Sequence, residues 1–152
     1  MTYLLDTNIL VLMVRGLRIY TNPNENQRKR QAMASRILSR AQQQQQLGNR
    51  VALSAITVAE LEFGAWNSED AGKETAATRR MMTPFTLLPF DSQACASQYS
   101  RIRYALESVG KGIGSLDTLI AAHALALEAI LVTTDSGEFC RVPGLKCENW
   151  AG

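Results

Sequence analysis

The chain has 152 residues, 46% apolar and 20% charged, which suits one compact domain of about 100–200 residues and excludes a disordered or collagen-like chain. A membrane helix is excluded by the same reading, because a span needs roughly 18–20 apolar residues and the longest run, Leu119 to Leu127, is nine residues with His123 inside it. The formal net charge of +2 is uninformative overall, whereas three cysteines with no C-x-x-C pair argue against a disulfide framework and a lone histidine rules out a multi-histidine zinc site.

Tyr3 to Leu5 reads as a short buried strand ending at Asp6, and Ile9 to Val14 as a helix entered through Thr7 and Asn8 and closed by Gly16. A loop through Asn22, Pro23 and Asn24 leads into a helix over Gln27 to Leu47, with Met33, Ile37 and Ala41 on one stripe and Gly48 at its end. The five glutamines at 42–46 are expected to form its solvated last turns, since glutamine is a good helix former. Val51 to Ser54 is a second strand, and Thr57 with Glu60 three residues later predicts a capping box opening the next helix. A further helix is expected in the 70s, ending before Pro84.

Leu87 to Phe90 is the third predicted strand. Cys95, Tyr99, Ile102, Leu106 and Val109 recur at spacings of three and four and predict an amphipathic helix closed by Gly110. Ser115 is expected to cap a helix running to Glu128 that is apolar nearly all round. Ile130 to Thr133 and Leu145 to Glu148 complete the strands. Alternating strands and helices predict an α/β fold with a mostly parallel sheet, which places ligands at the carboxyl ends of the strands.

Four acids lie at turns or helix starts within apolar sequence: Asp6, Glu60, Asp117 and Asp135. Carboxylates beside a core are costly unless a cation or metal accompanies them, and a hard divalent ion with oxygen ligands would resolve that cost. Taken singly, each also has a structural explanation: helix cap, capping-box partner, dipole complement and Asx turn respectively. Spacing alone does not bring them together.

Four stretches together resemble one family. Tyr-Leu-Leu-Asp-Thr-Asn-Ile-Leu at 3–10, Ala-Ile-Thr-Val-Ala-Glu-Leu-Glu-Phe-Gly at 55–64, Ile-Gly-Ser-Leu-Asp-Thr-Leu-Ile-Ala-Ala-His-Ala at 113–124 and Leu-Val-Thr-Thr-Asp-Ser-Gly-Glu-Phe at 131–139 are similar to the motifs of PIN-domain ribonucleases. The closing Val-Pro-Gly-Leu-Lys-Cys-Glu-Asn-Trp at 142–150 resembles the end of VapC-type toxins. The resemblance covers the whole chain as a single PIN-like domain over residues 1–152, a three-layer α/β fold with a central parallel sheet flanked by helices. It implies a divalent-metal-dependent ribonuclease, the toxin of a VapBC-type toxin-antitoxin pair, using Mg2+ or Mn2+ held by Asp6, Glu60, Asp117 and Asp135, with Asn8 and Thr133 supporting the acids. It also implies an RNA substrate, a VapB-type antitoxin and a homodimer. The span from Asp6 to Glu60 is longer than usual for the family.

Residues 7–59 hold eight Lys and Arg residues and one acid, Glu25, a local net of +7. Arg15, Arg18, Arg28, Lys29, Arg30, Arg36, Arg40 and Arg50 are therefore candidates for RNA phosphates or for a solvated helix face. His123 falls about 120° around the helix from Asp117 and is expected to be structural or partner-facing. Leu61, Phe63 and Trp66 are candidates for an interface or for core. The opening Met-Thr-Tyr-Leu-Leu-Asp lacks the pattern of a secretory signal, so a cytoplasmic location is expected. Two competing readings are a catalytically silent PIN-like module that binds RNA or a partner, and a magnesium-dependent aspartyl phosphotransferase. The second is disfavoured by Asn at position 8, where that chemistry wants a further aspartate.

Overall fold

The computed structural model describes all residues, 1–152. Its elements run β1 (Thr2–Leu5), α1 (Thr7–Gly16), α2 (Glu25–Gln46), β2 (Arg50–Ser54), α3 (Ala55–Trp66), α4 (Ala71–Met82), β3 (Thr86–Leu88), α5 (Gln93–Ser108), α6 (Ser115–Ala126), β4 (Ile130–Val132), α7 (Ser136–Phe139) and β5 (Lys146–Glu148). The five strands form one sheet in the order β3-β2-β1-β4-β5, and every pair is parallel. The expected α/β fold with a parallel sheet between helices is what the chain adopts.

A parallel sheet must be covered on both faces, and the strand sequences meet that demand by alternation. Leu5, Leu53 and Val132 face the layer containing Ile9, Met13 and Ile37 of α1 and α2, while Leu4, Ala52 and Leu131 face Ile102, Leu106 and Ile120 of α5 and α6. Trp150 seals the first layer, fully buried and 5.2 Å from the Tyr3 ring. Gly16 permits the close crossing of α1 and α2: a Cβ there would lie 2.5 Å from the Arg30 carbonyl oxygen and 2.6 Å from Ala34 Cβ. No helix is long and apolar enough to cross a membrane.

Several boundaries differ from expectation for local reasons. The capping box predicted at Thr57 is replaced by Ser54, whose Oγ accepts from the Ile56 amide at 3.1 Å, so α3 starts three residues earlier and Thr57 is buried inside it. Asn24 and Gln27 form the capping box of α2, which begins the helix at Glu25 instead of Gln27. Ser115 does not cap α6; Gly114 holds that position with no side-chain bond. The third strand is Thr86–Leu88 rather than Leu87 to Phe90, and Val109 is exposed as the residue ending α5. The glutamine tract is helical as expected, with Gln45 donating to the Pro84 carbonyl at 2.9 Å.

The sheet order places a reversal of direction at β1: the chain builds outward through β2 and β3 and then returns to β4 on the other side. Strand ends diverge at such a switch point and open a crevice at their carboxyl ends. Asp6 follows β1 and Asp135 follows β4, so both acids rise at the crevice.

Candidate active site

Asp6 is buried at the end of β1 and caps α1, one carboxylate oxygen accepting from the Ile9 amide at 3.0 Å and the other from the Thr133 hydroxyl at 2.5 Å. Its own amide donates to the Val132 carbonyl at 3.0 Å, which extends the β1–β4 ladder by one step and fixes the carboxylate in place. Burial pushes the Asp6 carboxyl above its ordinary range, against the lowering effect of the bonds from Thr133, Ile9 and Asn8. Thr133 does double duty, since its Oγ1 also accepts from the Asp135 amide at 2.9 Å. One hydroxyl therefore couples the first acid to the backbone carrying the fourth.

Glu60 sits on the second turn of α3, and its carboxylate accepts from the Thr7 hydroxyl at 2.8 Å; the same hydroxyl lies 3.3 Å from Thr57 Oγ1. Asp117 is in the first turn of α6, where the helix dipole favours an anion. Its pKa nonetheless rises to about 6, first through burial and then through the charges of Glu138, Asp6 and Glu60.

Asp6, Glu60 and Asp117 line a single cleft of about 390 Å³ together with Thr7, Asn8 and the turn Gly114–Leu116. Asp135 stands to one side of it, capping the short helix α7 by accepting from the Glu138 amide at 3.3 Å. The closest group of carboxylates is Asp117, Asp135 and Glu138, whose oxygens lie within 4.8 Å of one another. Glu138 was not among the expected residues. Its signal lies in the Asp135-Ser-Gly-Glu138 spacing, in which an N-cap and its N3 acid share a turn. Asn8 is exposed at the cleft and reaches Asp6 through its backbone amide.

The donor set is oxygen only. Five carboxylates from four separate segments crowd one end of the sheet, and a hard divalent ion suits such a set, whereas zinc would favour nitrogen and sulfur. No lysine or arginine side chain bonds any of the five. Burial and mutual repulsion, expressed together in the raised Asp117 pKa, are the physical demand that a bound cation would meet. His123 lies away from the cleft, buried on the far side of α6 with Nδ1 2.8 Å from Ser54 Oγ.

The remaining expected features separate cleanly. Leu61 is core, whereas Phe63 and Trp66 on the same helix are 69% and 74% exposed. Of the basic residues, Arg36 donates to the Ala151 carbonyl at 2.8 Å and Arg18 pairs with Glu74, while Arg28 and Arg30 face solvent.

The model of the PIN domain family matches residues 3–145. A Ribonuclease VapC2 from Haemophilus influenzae is 34% identical over 150 residues, covering 97% of each chain. A tRNA(fMet)-specific endonuclease VapC from Shigella flexneri is 32% identical over 102 residues, 67% of this chain and 76% of that one. Among solved structures, the VapBC2 complex from Rickettsia felis bound to a DNA fragment from its promoter superimposes with a TM-score of 0.78 at 31% identity, covering 99% of both chains.

Proposed function

This chain belongs to the PIN domain family, and from that premise we propose that it is a divalent-metal-dependent ribonuclease, the toxin of a VapBC-type pair, acting in the cytoplasm as a single PIN-like domain. The observation that carries the reading is the convergence of Asp6, Glu60 and Asp117 on one cleft at the switch point of the sheet. VapC ribonucleases matching nearly the whole chain support it.

In this reading Asp6, Glu60, Asp117 and Asp135 would hold Mg2+ or Mn2+, and Glu138 would add a further oxygen. When bound, such an ion neutralises the carboxylates, acidifies a water and offsets charge on the phosphoryl oxygens during an in-line displacement. The chain's own contribution is placement. Thr133 and the Ile9 amide hold the two oxygens of Asp6 in place at the cleft, and Thr7 holds one oxygen of Glu60, leaving its second to align an attacking water. Leu116 at the rim is the cleft's one apolar lining residue, positioned to exclude bulk water from one side.

The partner is a VapB-type antitoxin. The acid cleft continues past Thr7 and Glu60 to Arg15 and Arg18, and from there into a groove of about 890 Å³ floored by Leu17, Ile19, Tyr20, Leu38 and Met81. A segment with a cationic side chain at one end and an apolar face along its length fits that trench. Exposed Phe63 and Trp66 give α3 an apolar surface for a second copy of the chain.

The test is cleavage of a mixed cellular RNA pool by antitoxin-free protein with Mg2+, with Mn2+ and with chelator, beside Asp6→Asn. Metal-dependent cuts that vanish in the variant are expected. Equal inertness of folded wild type and variant would replace the reading with that of a catalytically silent binding module.

A further inference from the structure

The single histidine of the chain takes no part in the chemistry above, yet its surroundings are built with care. His123 is 1% exposed, on α6 six residues after Asp117. Ser54 is 0% exposed, at the N-cap of α3 six residues before Glu60. A neutral imidazole offers one N–H donor and one acceptor nitrogen, so Nδ1 pairs with the Ser54 hydroxyl in either tautomer. The Ser54 Oγ lies 2.8 Å from Nδ1 and also accepts from the Ile56 amide at 3.1 Å. Phe90 meets the ring edge-on, 5.5 Å between centroids at 82°, and closes the remaining side.

This bridge is the only side-chain hydrogen bond joining the start of α3 to α6. The rest of that part of α6 is apolar, with Ile120, Ala121, Ala122 and Ala124 all at 0% exposure. Apolar contacts tolerate small shifts of one helix along another, because they are non-directional. A buried donor and acceptor do not: a displacement of 1 Å leaves both groups unpaired in an apolar environment. The bridge sits about 9 Å along each helix from the acid that helix carries, six residues at 1.5 Å each, so it fixes the axial position of both carboxylates at once.

We propose that His123 and Ser54 are positioning residues that set the separation of Glu60 and Asp117 across the cleft, acting through the α3–α6 contact without touching metal or substrate. The proposal rests on the metal-nuclease reading for its consequence, though not for its geometry. Two readouts keep the failures apart: Mn2+ affinity measured by electron paramagnetic resonance without RNA, and amide hydrogen exchange of the metal-free protein. His123→Ala is expected to weaken Mn2+ binding about tenfold, the scale of a lost outer contact, and to speed exchange in α3 and α6 ahead of the rest of the chain. His123→Asn places an amide, with both a donor and an acceptor, where Nδ1 was and is expected to restore most of both. Ile37→Ala, on the opposite face of the sheet, is expected to lower stability while leaving Mn2+ affinity and the α3–α6 exchange pattern as in wild type.

Wild-type Mn2+ affinity in His123→Ala, or exchange that rises uniformly as in Ile37→Ala, would overturn the proposal. Should wild type bind no Mn2+, the nuclease reading fails, and the exchange pattern alone decides the positioning claim. Ser54→Ala deletes the same bond from the other side and serves if His123→Ala does not fold.

Discussion

Replacing Asp117 by Asn should stabilise the metal-free protein at neutral pH while destroying its function. The Asp117 carboxyl is raised from its ordinary 3.8 to about 6 by burial and by Glu138, Asp6 and Glu60. A carboxyl whose folded-state pKa lies above its unfolded value binds a proton more tightly in the native state, so its contribution favours folding at low pH and is lost as pH rises from about 3.8 through 6. A shift of that size corresponds to about 3 kcal/mol by linkage. Partial exposure of the side chain reduces this to roughly 1–2 kcal/mol, and the lost attraction between the anion and the α6 dipole subtracts a further ~0.3–1 kcal/mol. Asp117→Asn is therefore expected to gain about 1 kcal/mol over wild type at pH 7.5 and nothing at pH 4. Urea unfolding of both proteins in chelator across that range measures it. Burial lowers the His123 pKa, which makes both proteins lose stability as pH falls through its range, and the difference between them cancels that contribution. A variant less stable than wild type at pH 7.5, or a difference independent of pH, would refute the electrostatic reasoning.

Saturating Mg2+ or Mn2+ should reverse that ranking, adding about 2.7 kcal/mol to wild type at one hundred times the dissociation constant and nothing to Asp6→Asn, as read by thermal unfolding with and without metal. Because protons compete with the cation for Asp117, metal affinity should fall as pH drops below about 6, and a Mn2+ titration at pH 5 and pH 7.5 checks the direction. Thr133→Val removes the hydroxyl shared by Asp6 and the Asp135 amide; it should cost about 10–100-fold in metal affinity or turnover and about 1–3 kcal/mol of stability, with Thr133→Ser retaining most of both. Gly16→Ala should destabilise by about 1–3 kcal/mol, because its Cβ would overlap the Arg30 carbonyl oxygen at 2.5 Å, and chemical denaturation reads the loss.

What was legible in the sequence follows the physics of burial. The apolar runs at Tyr3–Leu5, Val51–Ser54 and Ile130–Thr133 announce strands because the sheet is covered on both faces, and a central parallel strand is apolar throughout. β3 was misplaced for the complementary reason: it is an edge strand with Thr86 and Leu87 exposed, so apolarity pointed past it to Phe90, which packs against His123 instead. Strand order was illegible from periodicity, since β1 pairs with β2 and β4 across 48 and 127 residues of chain and nothing local encodes such pairings. Thr57 is the cap that the sequence suggests for α3, and Ser54 takes that place. The choice was made by tertiary contacts, with Ser54 bonded to His123 and Thr57 drawn inward beside Thr7. The four expected acids all lie at the carboxyl end of the sheet, whereas Glu138 was missed because a four-residue helix carries no periodicity to reveal which way its side chains point.

The claim on which the rest depends is that these acids hold a divalent ion, and anomalous scattering from crystals of the protein soaked in Mn2+ addresses it without any assumption about the RNA. The account predicts a peak in the cleft within about 2.0–2.5 Å of carboxylate oxygens from Asp6 and from the Asp117, Asp135 and Glu138 group, absent in Asp6→Asn. A cleft without anomalous density in crystals that bind Mn2+ elsewhere, or a peak unaffected by Asp6→Asn, would contradict it.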